Sequence, residues 1–465
     1  MVTSIVILTY NQLELTKQCV ESIYKHTDRS LFELIFVDNG STDGTVEYLS
    51  AMEDVKCQFN ETNQGFAKGC NQGLSISEGD DVLFLNNDTV MTPGWLEPLQ
   101  KELHADENVG MVGPVSNYVS GAQLVGVDYT DLAHLDDFAV RHQKQYAGQT
   151  KRTLRLVGFC LLAKRPLMES LGGFDERYSI GSFEDDDLSA QVVHRGYQLK
   201  IIKESFVHHH GHATFTGNDD LDIYHLYMTN RVKFIEKWRT DISAYMFPRN
   251  ELVNLVPLTA TKVLDIGCGA GASGLEIVGR NSRADVYGIE KEKSLRDFSK
   301  HHYAHVQIVE KYEHIDFSQL PHDFDAIVIQ DVLNHTVNPW KFIMDIAECL
   351  KPGGMMVMSV PNFMHSSVVV PMLEGRWQVN DGGVTKWSHL RHFTPFTVDD
   401  LFPAEHFHMN VKTYTQLQQD EKQQAFLQDI QEAGRKHGFS VDHLAQLSSM
   451  YQIILQVEWL GGEIK

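Results

Sequence analysis

Short apolar runs that end in polar residues recur along the chain and alternate with helical patterns. They form two series, the first opening with SIVILTY at Ser4 and the second with KVLDIG at Lys262. Apolar runs of about four to eight residues bounded by turn residues are typical of buried strands. Strands that alternate with helices indicate α/β units with a largely parallel sheet. The pattern therefore predicts two tandem Rossmann-like α/β domains, in residues 1–240 and 261–465, with a linker over 241–260.

Composition narrows the class of protein. The 465 residues are 42% hydrophobic and 22% charged, which is typical of a folded globular chain. The formal net charge of −22 argues against nucleic acid as a partner, because nucleic-acid binders carry basic faces. The six cysteines form no CxxC pair, so reduced thiols in a cytoplasmic protein are expected. We expect neither a signal peptide nor a transmembrane segment, and peripheral contact with the inner membrane face stays open.

Polar residues stand at the ends of the first two apolar runs. SIVILTYN ends in Thr9, Tyr10 and Asn11, and ELIFVDNG contains Asp38. Ligands of open α/β sheets bind beyond the carboxyl ends of the strands, so these residues are candidates for a binding site. The Asp38 carboxylate could accept the N3–H of a uracil-like or thymine-like base, and an Asx turn that caps the next helix is the alternative. Asn11 followed by Glu14 also predicts a capping box.

A third apolar run, VLFLNNDTV, contains Asn86, Asn87 and Asp88 at its polar end. If a nucleoside diphosphate binds above these strand ends, its phosphates need a counter-charge, and hard divalent cations bind carboxylate and phosphate oxygens. Asp88 can anchor such a cation, whereas Asn86 offers only a neutral amide oxygen. A polar strand end with an Asx turn is the alternative interpretation.

The loop between the second and third runs, NQGFAKGCNQG, contains Asn63, Gly65 and Lys68. Glycine has no Cβ, so the backbone can approach a ligand closely at such a loop. The loop therefore predicts a contact with the nucleotide, with Lys68 nearby. An ordinary glycine-containing turn before a short helix is the alternative.

Four successive carboxylates, Glu184, Asp185, Asp186 and Asp187, lead into a predicted helix. The helix dipole favours acids at this position, and one or two would satisfy that role. Crowded carboxylates can raise one another's pKa, and a carboxyl poised near neutrality suits a general base. The run is therefore a candidate catalytic segment.

Four histidines stand within five positions of VHHHGH, at His208, His209, His210 and His212. Strand alternation would place His209 on one side of the chain and the other three on the opposite side, so they cannot all bind one ion. A surface tract that binds metal adventitiously is the alternative interpretation.

These segments, in this order, resemble the family 2 glycosyltransferases with the GT-A fold over about residues 3–238, and bacterial rhamnosyltransferase-like enzymes in particular. The resemblance implies an enzyme that takes a nucleotide-diphosphate sugar of the UDP or dTDP type. It implies transfer with inversion to a glycan or glycoprotein. It implies that the nucleotide sugar lies against Thr9, Tyr10, Asn11, Asp38, Asn63, Gly65, Lys68 and Asn87.

The same resemblance implies the metal ligands and the base. NND occupies the metal-binding position of the family, with Asp88 as the anchor for Mn²⁺ or Mg²⁺. The motif V-x-H matches His209, or else His210, as a second ligand. The acidic run would hold the base that deprotonates the acceptor hydroxyl, with Asp185 in first place and Glu184 in second.

The C-terminal half opens with KVLDIGCGAGASG, a predicted strand followed by glycines that open a helix. GAGASG fits the GxGxxG pattern, so a nicotinamide cofactor is one alternative. Asp265 on the strand extends the pattern to D-x-G-x-G-x-G, and Glu290 ends the next predicted strand, where an acid can hold ribose hydroxyls. Together with FDAIVIQDVLNH and SHLRHFT, this half looks like the class I S-adenosylmethionine-dependent methyltransferases over about residues 261–459.

This second resemblance implies S-adenosylmethionine as a cofactor, bound by Asp265, Gly267, Gly269, Glu290 and Asp331. It places the methyl acceptor near His335, His389 and Arg391. The resulting hypothesis is a bifunctional enzyme that adds a sugar and methylates the same glycan. The alternative is a glycosyltransferase whose second domain is a non-catalytic docking module.

Overall fold

The computed structural model of the chain describes residues 1–178, 180–211, 222–380, 382–417 and 420–462. Contacts divide the chain into two compact units, Met1–Phe247 and Pro248–Lys465. Each unit combines helices with a central β-sheet, which confirms the predicted class of two tandem α/β domains. The domain limits expected from the sequence, with a linker over 241–260, stay a prediction.

The first unit is built on a mixed eight-stranded sheet. Its strands are β1 Thr3–Thr9, β2 Phe32–Asp38, β3 Val55–Phe59, β4 Asp81–Asn86, β6 Val109–Val115, β7 Thr150–Thr153, β8 Cys160–Lys164 and β9 Gln198–Phe206. Their spatial order is β3-β2-β1-β4-β8-β6-β9-β7. The strands from β3 to β4 are parallel, whereas β8 is antiparallel to both neighbours and β7 is antiparallel to β9. The largely parallel arrangement expected from the sequence is therefore present in one half of this sheet.

The helices of this unit are α1 Leu13–His26, α2 Thr45–Ser50, α3 Phe66–Ser75, α4 Glu97–Leu103, α5 Leu135–Gln145, α6 Arg165–Leu171, α7 Glu184–His194 and α8 Ile223–Trp238. The capping box predicted for α1 is wrong. The helix begins after Gln12, which provides no side-chain cap, and Asn11 has a left-handed φ of 55°. This turn directs Asn11 to the loop after β2, where its Oδ1 accepts the N–H of Thr42, while Glu14 pairs with Lys17.

Register places the polar ends of three strands at one edge of the sheet. Thr9 of β1 lies beside Asp38 of β2, and Leu8 lies beside Asn86 of β4. The interior of β1, from Ile5 to Ile7, is at most 1% exposed. Strands buried on both faces need an unbroken apolar run, as the sequence shows. The carboxyl ends of the strands are therefore the part of the sheet available to a ligand.

A short antiparallel pair joins two distant segments next to this edge. β5 Thr89–Val90 follows β4, and β10 His208–His209 follows β9. His209 lies opposite Thr89, and the N–H of His210 donates to the carbonyl of Asp88 at 3.0 Å. This pairing brings the polar end of β4 to the histidine tract.

The second unit has a seven-stranded sheet of order β13-β12-β11-β14-β15-β17-β16. Its strands are β11 Lys262–Ile266, β12 Asp285–Glu290, β13 His305–Ile308, β14 Phe324–Gln330, β15 Leu350–Pro361, β16 Phe407–Gln416 and β17 Met450–Trp459. Its helices are α9 Asn250–Val253, α10 Ala272–Arg280, α11 Lys293–Ser299, α12 Pro339–Ala347, α13 Ser366–Leu373, α14 Glu421–Lys436 and α15 Leu444–Ser449. The strand order reverses between β11 and β14, and open α/β sheets bind ligands at such switch points.

Two further properties concern the whole described chain. No helix in the described ranges is both long and apolar enough to cross a bilayer. All six cysteines are free thiols, and five of them are buried.

Candidate active sites

A cavity of about 340 Å³ lies at the carboxyl edge of the first sheet. Six residues predicted as nucleotide contacts, metal ligand or base line it, namely Tyr10, Asn63, Asn87, Glu184, Asp185 and His209, and so do Asn86 and Asp186. Six others are not part of its lining, namely Thr9, Asn11, Asp38, Gly65, Lys68 and Asp88. The structure thus brings both candidate bases and the candidate metal-binding histidine to one cavity, while most of the candidate nucleotide residues lie outside its wall.

Asp38 is fully buried, and its carboxylate is already hydrogen-bonded. Oδ2 accepts the hydroxyls of Thr9 at 2.8 Å and Ser41 at 2.5 Å. Oδ1 accepts the N–H groups of Gly40 at 3.0 Å and Ser41 at 2.9 Å. These are the bonds of an Asx turn. A role for Asp38 in reading a base stays a prediction, and it would require some of these donors to release the carboxylate.

The glycine-containing loop is held by its own side chains. Asn63 Oδ1 accepts the N–H of Gly65 at 2.9 Å and an amide N–H of Asn39 at 3.2 Å. Gly65 has a φ of 86° and directly precedes α3. Lys68 on α3 is exposed and donates to Gln64 at 2.8 Å. Asn63 is therefore the member of this loop's predicted set that reaches the cavity.

Asp88 and His209 face each other, with His209 Nε2 lying 3.2 Å from Asp88 Oδ1. Asp88 is 3% exposed, and its Oδ1 has no hydrogen-bond partner among the described residues, so the approach is an ion-pair contact. Burial alone would lower the pKa of His209, but the Asp88 carboxylate raises it above its ordinary value. His209 Nδ1 donates to the carbonyl of Tyr118 at 2.8 Å, which fixes the ring with Nε2 toward Asp88.

The neighbouring histidines have other partners. His208 bonds to the hydroxyl of Tyr129 at 2.7 Å, and His210 bonds to Gln18 at 2.8 Å. The rings of His208 and His210 lie edge to face, 4.9 Å apart. His212 lies outside the described residues. In the described part of the chain, no three His, Cys, Asp or Glu side chains are grouped so that they could hold a metal ion.

Three of the four carboxylates that open α7 line the cavity. Asp185 is 8% exposed, and it accepts the N–H groups of Gly158 at 3.0 Å and Asp186 at 2.8 Å. Glu184 Oε2 is buried and has no hydrogen-bond partner within the described ranges. Burial, and after it the charge of Asp185, raises the pKa of Glu184 to about 8. Glu184 therefore carries a proton at neutral pH.

Arg155 lies in the cavity wall, although no sequence motif points to it. Its Nη2 lies 3.7 Å from Asp185 Oδ2, and its Nε donates to Asp186. Its Nη1 donates to Ser120 at 2.9 Å, and the guanidinium lies 5.7 Å from the ring centroid of Phe247. Arg155 belongs to the basic run TKRTLR, which matches no binding motif. Its position in the cavity wall is therefore known only from the fold.

Asp187, the fourth carboxylate, is fully buried and is not part of the cavity lining. It accepts hydrogen bonds from Tyr178 at 3.1 Å, Gln191 at 2.8 Å, Lys237 at 2.7 Å and Trp238 at 2.8 Å. Lys237 and Trp238 end α8. Asp187 therefore fastens α8 to α7 and has a structural role.

In the second unit, a glycine-rich turn between β11 and α10 borders the end of β14. Gly267 and Gly269 have φ values of 77° and 56°. A Cβ at Gly267 would come within 2.8 Å of the carbonyl oxygen of Gln330. The turn therefore requires glycine, and it lies at the switch point of the sheet, where a cofactor can approach the backbone.

Asp265 and Glu290 are buried beside this turn. Asp265 accepts the hydroxyl of Tyr303 at 2.7 Å and the amide of Gln330 at 2.6 Å. Burial, and more weakly the charge of Glu290, raises the pKa of Asp265 to about 6. Glu290 accepts the N–H of Gly269 at 2.8 Å and the N–H groups of the two residues that follow it at 2.8 and 2.9 Å. Both carboxylates are thus bonded within the protein.

Asp331 directly follows β14 and has a left-handed φ of 52°. Its Oδ1 accepts the hydroxyl of Ser359 at 2.7 Å. Its Oδ2 accepts hydrogen bonds from Arg249 at 3.1 Å and Gln452 at 2.8 Å. The carboxylate is therefore held in a polar network at the end of the strand.

His335 and His389 lie side by side, with ring centroids 5.1 Å apart in an edge-to-face arrangement. His335 Nδ1 lies 3.0 Å from the carbonyl oxygen of Ser388, and His389 Nδ1 lies 2.9 Å from that of Val384. Arg391 donates to two backbone carbonyls. The structure therefore brings the two predicted histidines together.

Comparison with known families gives one match within each unit of the chain. The family described as glycosyl transferase family 2 matches residues 4–171, and a methyltransferase domain matches residues 264–358. The chain carries a glycosyltransferase family 2 domain followed by a methyltransferase domain. The first match ends before Glu184 and His209, and the second ends before His389. The family matches therefore do not reach these three residues, and their roles stay predictions.

Two curated proteins illustrate these matches. The chain is similar to the glycosyltransferase GlyG of Streptococcus pneumoniae, with 30% identity over 119 residues that cover 25% of this chain and 39% of the relative. It is also similar to a ubiquinone biosynthesis O-methyltransferase of Coxiella burnetii, with 33% identity over 110 residues that cover 23% of this chain and 46% of the relative.

A solved structure, that of GalNAc-T7 with UDP, GalNAc and Mn²⁺, aligns with a TM-score of 0.37 and 19% identity. The alignment covers 45% of this chain and 44% of that chain. This chain thus spans less than half the length of each of the three proteins. Their substrates are therefore not findings about this chain.

Proposed function

We propose that the protein is an inverting, metal-dependent glycosyltransferase that uses a nucleotide-diphosphate sugar, and that its methyltransferase domain methylates the same glycan. The observation that supports the first activity most directly is the cavity at the carboxyl edge of the first sheet, whose lining includes Glu184, Asp185 and His209. A bacterial surface polysaccharide or a glycoprotein such as flagellin is the proposed acceptor, and the cytoplasm is the proposed location.

Asp88 and His209 are the proposed metal ligands. Asp88 Oδ1 has no hydrogen-bond partner among the described residues and lies 3.2 Å from His209 Nε2, so both atoms could bind one cation. Two protein ligands suit Mn²⁺ or Mg²⁺ when substrate phosphates supply further oxygens. Such a cation would stabilise the negative charge of the departing diphosphate.

The nucleotide sugar is proposed to lie against the wall formed by Tyr10, Asn63 and Asn87. Asn87 is 5% exposed, and its amide donates to Thr16 at 3.0 Å, which leaves its carbonyl oxygen for a ligand. The proposed donor is a UDP or dTDP sugar. Asp38 could accept the N3–H of either base once the donors of its turn release the carboxylate.

Asp185 is the proposed base. Its two oxygens each accept one backbone N–H, which fixes the carboxylate in the cavity wall and leaves a lone pair on each oxygen. The carboxylate would take the proton of the acceptor hydroxyl as that oxygen attacks the anomeric carbon opposite the leaving group. Glu184 is the second candidate, but it holds a proton at neutral pH and must lose it before it can act as a base.

A screen of UDP-, dTDP- and GDP-sugars for hydrolysis or transfer, with Mn²⁺ or Mg²⁺, tests this activity. Removing a general base typically costs about 10²–10⁴-fold in rate. Asp185→Asn should therefore lower transfer by about that factor and leave donor binding nearly unchanged. Asp186→Asn is the matched control, because Asp186 is already engaged by Arg155. Full transfer by Asp185→Asn would assign the base to Glu184 instead.

The methyltransferase domain offers a site that fits S-adenosylmethionine. The bare glycine turn at Gly267 and Gly269 lies at the switch point of the sheet, next to the buried carboxylates of Asp265 and Glu290. Asp331 stands at the end of the adjacent strand. When bound, this cofactor supplies an electrophilic methyl group, and these residues would hold it in the crevice between β11 and β14.

One observation favours the docking-module alternative. The Glu290 carboxylate accepts hydrogen bonds from the backbone N–H groups of Gly269, Lys291 and Glu292. The ribose hydroxyls of a cofactor would have to compete with these three donors. Calorimetric titration of the full chain with S-adenosylmethionine distinguishes the two possibilities. Binding that is lost in Glu290→Ala supports a catalytic domain. Absence of binding by the wild type, with sugar transfer intact, supports a docking module.

A further inference from the structure

A pair of neighbouring imidazoles lies in the methyltransferase domain. His335 Nδ1 and His389 Nδ1 each approach a backbone carbonyl, at 3.0 and 2.9 Å. Because a carbonyl oxygen can only accept, His335 Nδ1 must carry the proton. At His389 the backbone N–H of Lys386 also approaches Nδ1, at 3.4 Å. Burial is the main cause that lowers the pKa of each ring to about 4. Each ring is therefore neutral at physiological pH, and Nε2 of His335 is an unprotonated acceptor.

Titratable groups from several elements surround the pair. Those that face it are Lys291, Asp331, Lys386 and His392. Lys291 directly follows β12, and Asp331 directly follows β14. These two strands flank β11 in the sheet. The histidine pair therefore lies at the carboxyl ends of the strands, at the crevice proposed for the cofactor.

Asn334 fixes the distance between the two rings. Its side-chain amide donates to the backbone carbonyl of Arg391 at 2.9 Å, and its backbone carbonyl accepts the N–H of Leu390 at 2.6 Å. The loop that carries His335 is thereby joined to the segment that carries His389. The ring separation of 5.1 Å is thus set by backbone contacts on both sides.

A row of aromatic rings extends outward from the pair. His392 lies 6.4 Å from His389 and stacks on Phe363 at 4.5 Å. Trp377 lies 5.6 Å from Phe363 and is 55% exposed. A large amphipathic ring that is half exposed can pack against a ligand with one apolar face. The C–H face of a pyranose is such a surface, and its hydroxyls project from the ring edge.

We propose that the methyl acceptor of this domain is a carbohydrate hydroxyl, that His335 Nε2 takes its proton, and that Trp377 seats the sugar ring. This inference rests on the proposed methyltransferase activity. The hydroxyl proton passes to Nε2 while the O–CH₃ bond forms and the S–CH₃ bond breaks, which leaves a neutral sulfide. The imidazolium then releases the proton to water. A weak base suffices because the hydroxyl becomes strongly acidic as its oxygen gains the methyl group.

The first test measures the tautomer and the titration of the His335 ring in the absence of catalysis. ¹⁵N NMR of the full chain with labelled histidine, assigned by His335→Asn, should show Nδ1 protonated and Nε2 unprotonated at pH 7. It should also show that the ring titrates well below the ordinary histidine value of about 6.5. An Nε2–H tautomer, or an ordinary titration, would overturn the proposal.

The second test measures methylation of a panel of methyl glycosides with labelled S-adenosylmethionine. Asparagine keeps a donor near the position of Nδ1 and removes Nε2, so His335→Asn should lower kcat by about 10²-fold or more. His322→Asn is the matched control, because His322 also contacts a carbonyl through Nδ1, at 3.2 Å from Glu348, but is exposed. Its activity should equal that of the wild type. Trp377→Ala should raise KM for the glycoside more than it lowers kcat.

Binding of S-adenosylhomocysteine, measured by calorimetry, distinguishes a failure of the proposed methyltransferase activity from a failure of the proposed carbohydrate acceptor. His335→Asn should bind it with unchanged affinity. If the wild type binds it but methylates no glycoside, or methylates only amines, the carbohydrate-hydroxyl proposal is wrong while the methyltransferase proposal stands. Full kcat in His335→Asn would remove the ring as the base. A wild type that does not bind S-adenosylhomocysteine would contradict the methyltransferase activity and this inference with it.

Discussion

Glu184→Gln should abolish a pH-dependent loss of stability in the first unit. Burial and the charge of Asp185 raise the pKa of Glu184 from 4.5 to about 8. The unfolded chain ionises near the lower value, so between the two values it binds fewer protons than the folded chain. Stability from this group is therefore complete below the unfolded pKa and is lost as the pH rises through the folded pKa. At about 1.4 kcal/mol per pH unit, the wild type should lose about 3 kcal/mol between pH 6 and pH 9.

Scanning calorimetry of the full chain at pH 6 and pH 9 measures this loss. For a domain of this size, about 3 kcal/mol corresponds to a fall of roughly 6–12 °C in Tm. The glutamine of Glu184→Gln cannot ionise. Between pH 6 and pH 9 the Tm of this variant should therefore fall less than the wild-type Tm, by roughly the same 6–12 °C. Glu21→Gln, an exposed substitution on α1, is the matched control and should behave like the wild type. Equal falls in Glu184→Gln and the wild type would refute the reasoning, because Glu184 would then be ionised at neutral pH.

Three further predictions concern stability and metal binding. Asp187→Ala should destabilise the first unit by about 3 kcal/mol, because it leaves buried donors without their acceptor. Urea unfolding measures the change in free energy, and a loss below about 1 kcal/mol would contradict this prediction. Asp88→Ala should eliminate donor-dependent Mn²⁺ binding and activity, whereas Asn86→Ala should only weaken them; equal losses in a titration would show that the two roles are wrongly divided. Tyr303→Phe should cost about 1–3 kcal/mol in the second unit, because Asp265 loses a buried hydrogen bond; an unchanged urea midpoint would exclude that cost.

The fold class could be predicted because the central strands are unbroken apolar runs. The interiors of β1 and β14 are buried almost completely, and this burial requires the runs that the sequence displays. The edge strand β7 has the sequence TKRT and is partly exposed. Its strand conformation comes from antiparallel pairing with β9, which no local pattern encodes. The antiparallel strands of the first sheet could therefore not be predicted from the sequence.

The candidate site was predictable where a side chain reaches the cavity from a strand end or a helix start, as Tyr10 and Asp185 do. Arg155 could not be predicted, because its contacts with the acidic run depend on a long-range packing of β7 and the segment after it. Asp38 shows a different limit. A carboxylate after a strand can cap its own turn or bind a ligand with the same local sequence, and here it has the bonds of a turn.

The contact between Asp88 and His209 is also a tertiary effect. It depends on β5 and β10, two strands of two residues each, which carry no periodic pattern. The sequence supplied both residues as candidates, and the backbone pairing places their side chains 3.2 Å apart. Short bridges of this kind need the whole fold before they form.

The most direct test of the proposed sugar-transfer site is a calorimetric titration of the full chain with UDP and with dTDP, in the presence and absence of Mn²⁺. We predict that one of these nucleotides binds, that binding requires Mn²⁺, and that Asp88→Ala weakens it at least about tenfold, since each tenfold change corresponds to about 1.4 kcal/mol. Equal affinity with and without Mn²⁺, equal affinity in Asp88→Ala, or no binding of either nucleotide would contradict this prediction.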